Sequence, residues 1–566
     1  MNHHPRKLAS LPSLLFAISH AMLLTAIVSF STGDAYATSW VAPIGIPMPP
    51  FGVNEVVPTV PSPWSGAKAG FYYVCPTCPG ATDSSNPLGY PGQPRLTIPS
   101  TVTGPATIFL NGQINSDMSF TGNGTASAPI FVTSYNASSP AHLTTGQTIS
   151  GSYVILDHLW YGPRDSSSTD FGFGLYEGTH HITIRNSEFA GNKNRSGGIG
   201  LGTWGYTGSS SASYIVIDNN SIHNLGDTGA ASDQDAHCVV INGTADHVWV
   251  TYNTLQYCSG DAIQVEAQDG RRAFIHHIYY GKNVAHHNRQ SGGWVKNATD
   301  VIFSQNIAHD FRDNSGGPGV CFGFQYGPEY VWFLFNEGYF CNIGIGIAGN
   351  SNSPGQNSFI IGNIIHDTQS QSPTDPYNAG AMVIRGGTNV YVVNNTMYNV
   401  DAGVNMPPGT SKVFYYDNII SQRTNPSTYD LYTEGSVALD VKNSIFSAAG
   451  PRFTTGNGTY TTVAQFQSAT GTGQGCSAGD PKFLNAGAQN FSLQATSPAI
   501  DSGMVASVYS TFLSRYGIDI SKDIAGTTRP QGNAYDIGAY EFVSNSLPNT
   551  QPPTAPSSLQ VTSTVP

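Results

Sequence analysis

The chain has 566 residues, of which only 10% are charged, and its formal net charge is −12 at pH 7. This balance argues against a nucleic-acid partner, which needs a basic face, and against bulk electrostatic capture of a polyanion. An acidic polymer would require a local basic cleft or a bridging cation.

Residues 1–37 read as a secretory signal peptide. Arg6 and Lys7 supply the positive start, and Leu14 to Phe30 an apolar stretch broken by Ser19 and His20. Ala35-Tyr36-Ala37 is an A-x-A cleavage site. No other segment is apolar over enough residues to span a bilayer. The mature chain is therefore expected to begin near Thr38 and to be secreted, extracellular or held at the cell surface. Residues 38–105 form a Pro-rich leader, expected to be mobile as far as residue 70, and then an N-terminal cap. In the cap, Phe71-Tyr72-Tyr73-Val74 reads as a strand, followed by a Gly/Asn/Pro loop and the short run Pro94-Arg95-Leu96-Thr97-Ile98-Pro99.

Residues 106–447 carry a repeat. Short apolar runs end on a column made of Asp157, Asn186, Asn220, Asn253, Asn283, Asn306, Asn336, Asn363, Asn395, Asn418 and Asn443, at intervals of 23 to 34 residues. The runs are rich in β-branched and aromatic residues, as in Ile215-Val216-Ile217, Val248-Trp249-Val250 and Val413-Phe414-Tyr415, and are bounded by Gly, Asn, Asp or Ser. No 3.6-residue period intervenes, so strands follow strands. A coil that lays each strand on the one before, about 4.8 Å away, satisfies this pattern. Asn suits the bend between strands because it tolerates left-handed backbone angles, and stacked on itself it can form an amide ladder. His223, His286, His309 and His366, each three residues past its Asn, read as one stacked structural position. On these residues the chain resembles the right-handed parallel β-helix proteins of the pectate-lyase-like superfamily. The resemblance implies an all-β, single-stranded right-handed solenoid of about eleven or more coils, with an N-terminal cap and a C-terminal β-rich segment. Residues 71–113 resemble the opening segment of secreted β-helix proteins, which closes the first coil.

Seven Cys lie in the mature region. Cys238 and Cys258 are 20 apart, as are Cys321 and Cys341, and both pairs are expected to bond in an oxidising compartment. Cys75 and Cys78 can close a small loop, and the odd count leaves one Cys, such as Cys476, unpaired. Residues 448–543 continue and cap the solenoid, with one short helix expected from Thr462 to Ala469. Their Asp523-Ile524-Ala525-Gly526 and Asp536-Ile537-Gly538-Ala539-Tyr540-Glu541 runs resemble the C-terminal segment of surface-anchored bacterial β-helix proteins, and their acidic residues read as turn formers. Residues 544–566 are a Ser/Pro/Thr-rich linker or tail.

A β-helix is filled by its core, so chemistry must sit on an outer face beside long loops. The densest polar cluster runs through Asp233-Gln234-Asp235-Ala236-His237, then Asp261 to Arg272, then Trp294-Val295-Lys296-Asn297. Segments starting at His237, Ala262 and Trp294 are expected to be equivalent strands on successive coils. β-Elimination on a uronate polymer needs a positive group to neutralise the carboxylate and a base to take the C5 proton. Lys296 is the candidate base. Arg271 or Arg272 would hold the carboxylate through a bidentate fork. Asp233, Asp235, Glu266 and Asp269 offer hard oxygen ligands for Ca²⁺. His237, following Asp235, is similar in residue type to the Asp/His dyad of alginate epimerases, although the flanking motif departs from theirs. Trp294, Gln264, Arg385 and Tyr326 are the candidate substrate-binding residues. Arg385 shares the Lys296 offset three coils away, about 14 Å at strand spacing. The expectation is a monomeric, polysaccharide-engaging protein, most simply a Ca²⁺-assisted lyase. The alternatives are a glycoside hydrolase using paired carboxylates and a non-catalytic adhesin or carbohydrate-binding protein.

Overall fold

A computed structural model describes residues 40–162, 172–193, 198–312, 314, 317–349 and 354–544. The expected signal peptide, and the tail beyond Ser544, lie outside them. The described chain is a parallel β-helix. It holds parallel sheets of 28 and 14 strands, the larger one being two ladders joined through the long strand Gln147–Asp157. Each coil contributes a strand to three faces. One coil runs Val239–Ile241, Ala245–Thr251 and Thr254–Gln256, and the next Ile263–Glu266, Ile275–Gly281 and Val284–His286. We call these the first, second and third faces. Registers such as Val240↔Gln264, Val248↔Ile278 and Leu255↔Ala285 keep identical positions stacked from coil to coil. No helix among the described residues is long and apolar enough to cross a membrane.

The strands obey the pattern their surroundings impose. Val250, Tyr280, Phe303, Phe333 and Ile360 point inward on consecutive second-face strands and are fully buried. Their outward neighbours Trp249, Tyr279, Ile302, Trp332 and Phe359 are buried too. A strand covered on both sides reads as a continuous apolar run rather than an alternating one, which is why Val248-Trp249-Val250 has no polar member. Two chain segments provide that outer cover.

The first is the leader, which is docked rather than mobile. The Trp249 indole donates to the Pro47 carbonyl at 2.8 Å, Ser304 Oγ donates to Ile44 O at 2.6 Å, and Arg185 donates to Gly52 O at 2.6 Å and Glu55 O at 2.8 Å. The second is the C-terminal segment. Beyond the expected helix, found at Val463–Thr470 with Thr462 as its N-cap, lies a second one at Ser507–Tyr516 that the sequence reading omitted. Its Phe512 meets the Trp332 ring edge-on at 4.8 Å, and Arg515 grips Asp300 at 2.5 and 2.9 Å. The acidic residues of this segment build turns: Asp536 accepts the Asp501 and Phe542 N–H groups, and Glu541 pairs with buried Arg529 at 2.8 Å. The cap forms as expected, Phe71–Val74 pairing with Ala106–Leu110.

The Asn column is a true ladder over Asn220, Asn253, Asn283, Asn306, Asn336, Asn363, Asn395 and Asn418. Each amide Nδ2 donates to the next Oδ1 at 2.9–3.0 Å. It also donates to a backbone carbonyl, as Asn306 does to Tyr280 O at 2.8 Å. The end members are corrected. Asn186 and Asn443 stand one residue early, and the ladder position there is taken by Ser187 and Ser444, whose hydroxyls accept a backbone N–H at 3.1 Å. Asp157 stands opposite Arg185, further from the ladder still. The left-handed bend also belongs to the preceding residue (Asn219, Tyr252, Lys282, Gln305) and not to the ladder Asn.

Disulfides join Cys75–Cys78, Cys238–Cys258 and Cys321–Cys341, and Cys476 is free. His286, His309, Tyr339 and His366 stack along the third face with ring centroids 4.7–4.9 Å apart, the structural role expected of that position.

Candidate active site

The first face alternates at its strand Trp294-Val295-Lys296, with only Val295 buried. Its outward side chains form two columns. One runs Gln264, Trp294, Gly323, Gly346 and Val383; the other runs Glu266, Lys296, Gln325, Ala348 and Arg385.

In the first column the Trp294 ring lies across Gly323. A Cβ at Gly323 would stand 2.4 Å from Trp294 Cζ3, so the glycine makes room for the ring to lie flat. The indole Nε1 donates to Gln325 Oε1 at 3.1 Å, and Val320, Ile343 and Val383 pack against the ring to form a small apolar platform. In the second column the Lys296 ammonium donates to Gln264 Oε1 at 2.8 Å and to Glu266 Oε2 at 3.2 Å, both across one coil step. An ammonium already engaged with two acceptors offers no lone pair, so the geometry fits a charged anchor better than the base expected of Lys296.

His237 does not continue these columns. The register places it in line with Asp261 and Ser291, at the edge where the chain enters the face. Its ring is buried. Nδ1 accepts the Asp261 N–H at 2.8 Å, which leaves the proton on Nε2, 3.3 Å from Asp235 Oδ1. That hydrogen bond, with a second from Gln290 at 3.0 Å, holds the Asp235 carboxyl well below the usual carboxylate range, and the Lys296 charge adds to the effect. Asp261 is the opposite case. It is buried, Ser291 Oγ donates to its Oδ1 at 2.5 Å, and burial pushes its carboxyl up to about 6 against the pull of His237, Ser291 and Lys296. Two acidic groups around one imidazole are thus driven apart, one outward-facing and ionised, the other enclosed.

Several expected convergences do not form. Arg271 donates to the Tyr206 carbonyl and lies 4.0 Å over the Phe274 ring, while Arg272 stands 3.5 Å from Glu329. Neither guanidinium is directed at Lys296, because the turn that carries them leads toward the second face. The four proposed Ca²⁺ ligands separate into three places. Asp233 and Asp235 share the Gln290 amide at 2.5 and 3.0 Å, Glu266 is paired with Lys296, and Asp269 accepts from Asn297 at 2.7 Å. Ca²⁺ takes six to eight converging oxygens, and these residues do not fit it. Arg385 is exposed, three coil steps along the column from Lys296. Tyr326 is exposed on the turn after Gln325, with a left-handed φ of 63°. Asp261, Gln290, Ser291 and Gln325 complete the arrangement and were not singled out from the sequence. The repeat interval was the available signal for Asp261 and Ser291, since each stands one coil after its neighbour in the His237 line.

No family model matches this chain, and no curated protein matches it. Among solved structures, the pectate lyase Pel9A is similar at 14% identity and a TM-score of 0.34, over 83% of this chain and 96% of that one. The PL6 family alginate lyase AlyGC is similar at 10% identity and 0.41, over 68% of this chain and 54% of that one. The A-module of the mannuronan C-5 epimerase AlgE6 from Azotobacter vinelandii is similar at 11% identity and 0.38, over 67% and 91%. No residue of this chain takes a role from them.

Proposed function

We propose that the protein works outside the cytoplasm, binds an acidic polysaccharide along its first face and cleaves it by β-elimination. The observation that carries this reading is the Lys296–Glu266 pair beside the Trp294 platform, at outward positions of neighbouring first-face strands. The three disulfides favour an oxidising compartment. A sugar ring stacks on Trp294. Its uronate carboxylate exchanges places with Glu266 on the Lys296 ammonium, and neutralisation there acidifies the C5 proton. The released Glu266 carboxylate takes that proton, the C4–C5 double bond forms, the C4–O4 bond breaks, and the leaving oxygen takes a proton from water. Lys296 is the carboxylate anchor in this scheme and Glu266 the base. No step uses a metal.

The test is a panel of mannuronate, guluronate, galacturonate and glucuronate polymers, read by the ultraviolet absorbance of the unsaturated product. Wild-type protein is expected to act on at least one. Lys296→Ala and Glu266→Gln should each lose about 100-fold or more in rate with an unchanged melting temperature. Absence of that absorbance on every polymer overturns the reading. A second reading has its own support: Asp235 and Glu266 flank Lys296 with more negative than positive charge, which suits acid–base hydrolysis of a less acidic glycan. Release of reducing ends without ultraviolet absorbance selects it, and saturable binding without any product selects a non-catalytic polysaccharide-binding protein.

A further inference from the structure

The third face carries a group of side chains that the candidate active site does not use. Strands Val284–His286 and Ile307–His309 are neighbours in register, His286 opposite His309. After each strand the chain turns through one left-handed residue, His287 at φ 56° and Asp310 at φ 62°. Equivalent corners of consecutive coils therefore bring His287, His309 and Asp310 together. One ligand atom from each lies within 4.8 Å of the others, and no other three His, Cys, Asp or Glu residues do this among the described residues. Asp310 Oδ2 is 2.7 Å from His309 Nδ1 and 4.0 Å from His287 Nε2.

We propose that His287, His309 and Asp310 bind a first-row divalent ion of borderline softness, of the Zn²⁺ kind, with water completing the coordination. Two imidazoles and one carboxylate are the donor set such an ion prefers, and Ca²⁺ or Mg²⁺, which want more oxygens, do not. His286 Nδ1 faces His287 Nδ1 at 2.9 Å. When the His287 nitrogen donates there, its tautomer is fixed and its Nε2 presents a lone pair toward Asp310. His309 ligates through Nδ1 in the tautomer that carries its proton on Nε2, and Asp310, losing that donor, gains the ion.

Asp310 itself supports the assignment. Among the described residues its ion-pair partners are His287 and His309 alone. The same Nδ1–Nδ1 contact between nearly perpendicular His rings recurs at His180–His181, 3.0 Å, and at His276–His277, 2.7 Å. Neither of those pairs gains a third ligand, which marks the 287 corner as different. An ion here would pin two successive coils at the turn that continues through Gln290 and Ser291 into the Asp233, Asp235 and Asp261 group.

The test is titration of the whole chelator-treated protein with Zn²⁺ by calorimetry, with Co²⁺ as a spectroscopic probe. Expected are one saturable Zn²⁺ site and a rise in melting temperature with Zn²⁺. The Co²⁺ form should show visible bands of a low-coordinate site with nitrogen ligands. His287→Ala and Asp310→Asn should each weaken Zn²⁺ by about tenfold or more and their combination should abolish it. His287 is exposed, so the metal-free melting temperature of its variant should match wild type. The exposed His158→Ala serves as the control that keeps the site. Absence of Zn²⁺, Co²⁺ and Ni²⁺ binding overturns the proposal, as does a stoichiometry unchanged in the double variant.

Discussion

Gly260 and His237 are fitted to one another: a Cβ at residue 260 would stand 2.4 Å from His237 Nδ1. The missing side chain lets the imidazole settle with Nδ1 on the Asp261 N–H and Nε2 toward Asp235. Gly260→Ala should force the ring out of this seat at a cost of about 1–3 kcal/mol. Asp235 would lose the contact that contributes most to its acidity. Its carboxylate signal, followed by NMR, should titrate at higher pH in the variant. An unmoved titration would show that His237 does not set the charge of Asp235.

Asp261 makes stability depend on pH in a defined direction. Its folded value of about 6 lies above the ordinary 3.8. The enclosed carboxyl is thus tolerated best when protonated. Its contribution is fully present below about pH 4 and is lost as pH rises through 6. Asp261→Asn removes the penalty while still accepting from Ser291 Oγ. In urea unfolding the variant should match wild type near pH 4 and exceed it by on the order of 1–3 kcal/mol at neutral pH. Parallel curves across that range would contradict the assignment.

Ladder and off-ladder asparagines should respond differently to the same substitution. Asn306→Ala strips the Asn283 N–H and Nδ2 of their acceptor and takes the Nδ2 donor from Asn336 Oδ1, which keeps only the residue-306 N–H, all in a buried setting. The expected cost is about 3 kcal/mol or more. Asn186→Ala removes contacts to Asp157 and Asn219 at a partly exposed site and should cost about 1 kcal/mol or less. Equal losses for the two variants would mean that the ladder adds nothing beyond an ordinary hydrogen bond.

These pairs also show what the sequence could reveal. The repeat was legible because strand runs and Asn return at a regular interval, and the resulting register correctly separated Arg385 from Lys296 by three coils. It misassigned Asn186 and Asn443 because a Ser hydroxyl can replace the amide oxygen, as Ser187 and Ser444 do, and a pattern built on Asn alone does not see that exchange. The outer cover was written in Trp249, Tyr279 and Trp332, outward residues too apolar for a wet surface, yet nothing in a single strand says which distant segment covers it. The separation of Asp233 and Asp235 from Glu266 and from Asp269 was beyond reach, because it depends on the paths of the turns, on Gln290 claiming the first two, and on Lys296 and Asn297 claiming one each.

The outer cover can be probed at Phe512. Its ring is fully buried against Trp332, and Phe512→Ala should cost about 3–5 kcal/mol. The loss should appear first as release of the C-terminal segment. Trp332 emission should shift to the red, and limited proteolysis should cut between residues 504 and 544 before the solenoid is attacked. Cleavage inside the coils at the same rate would show that the segment is not a separate layer.

The leader and the C-terminal helix meet at one spot. A Cβ at Gly45 would contact Leu334 Cδ1 and Phe512 Cζ, each at 3.0 Å. Stacked-repeat chains ordinarily hold together through nearest neighbours and peel from their terminal units. Here both flanking stretches are folded back onto the central coils, so release of either one uncovers the middle of the molecule. The molecule is fastened as a clasp is, and a truncation at either end should weaken coils far from the cut.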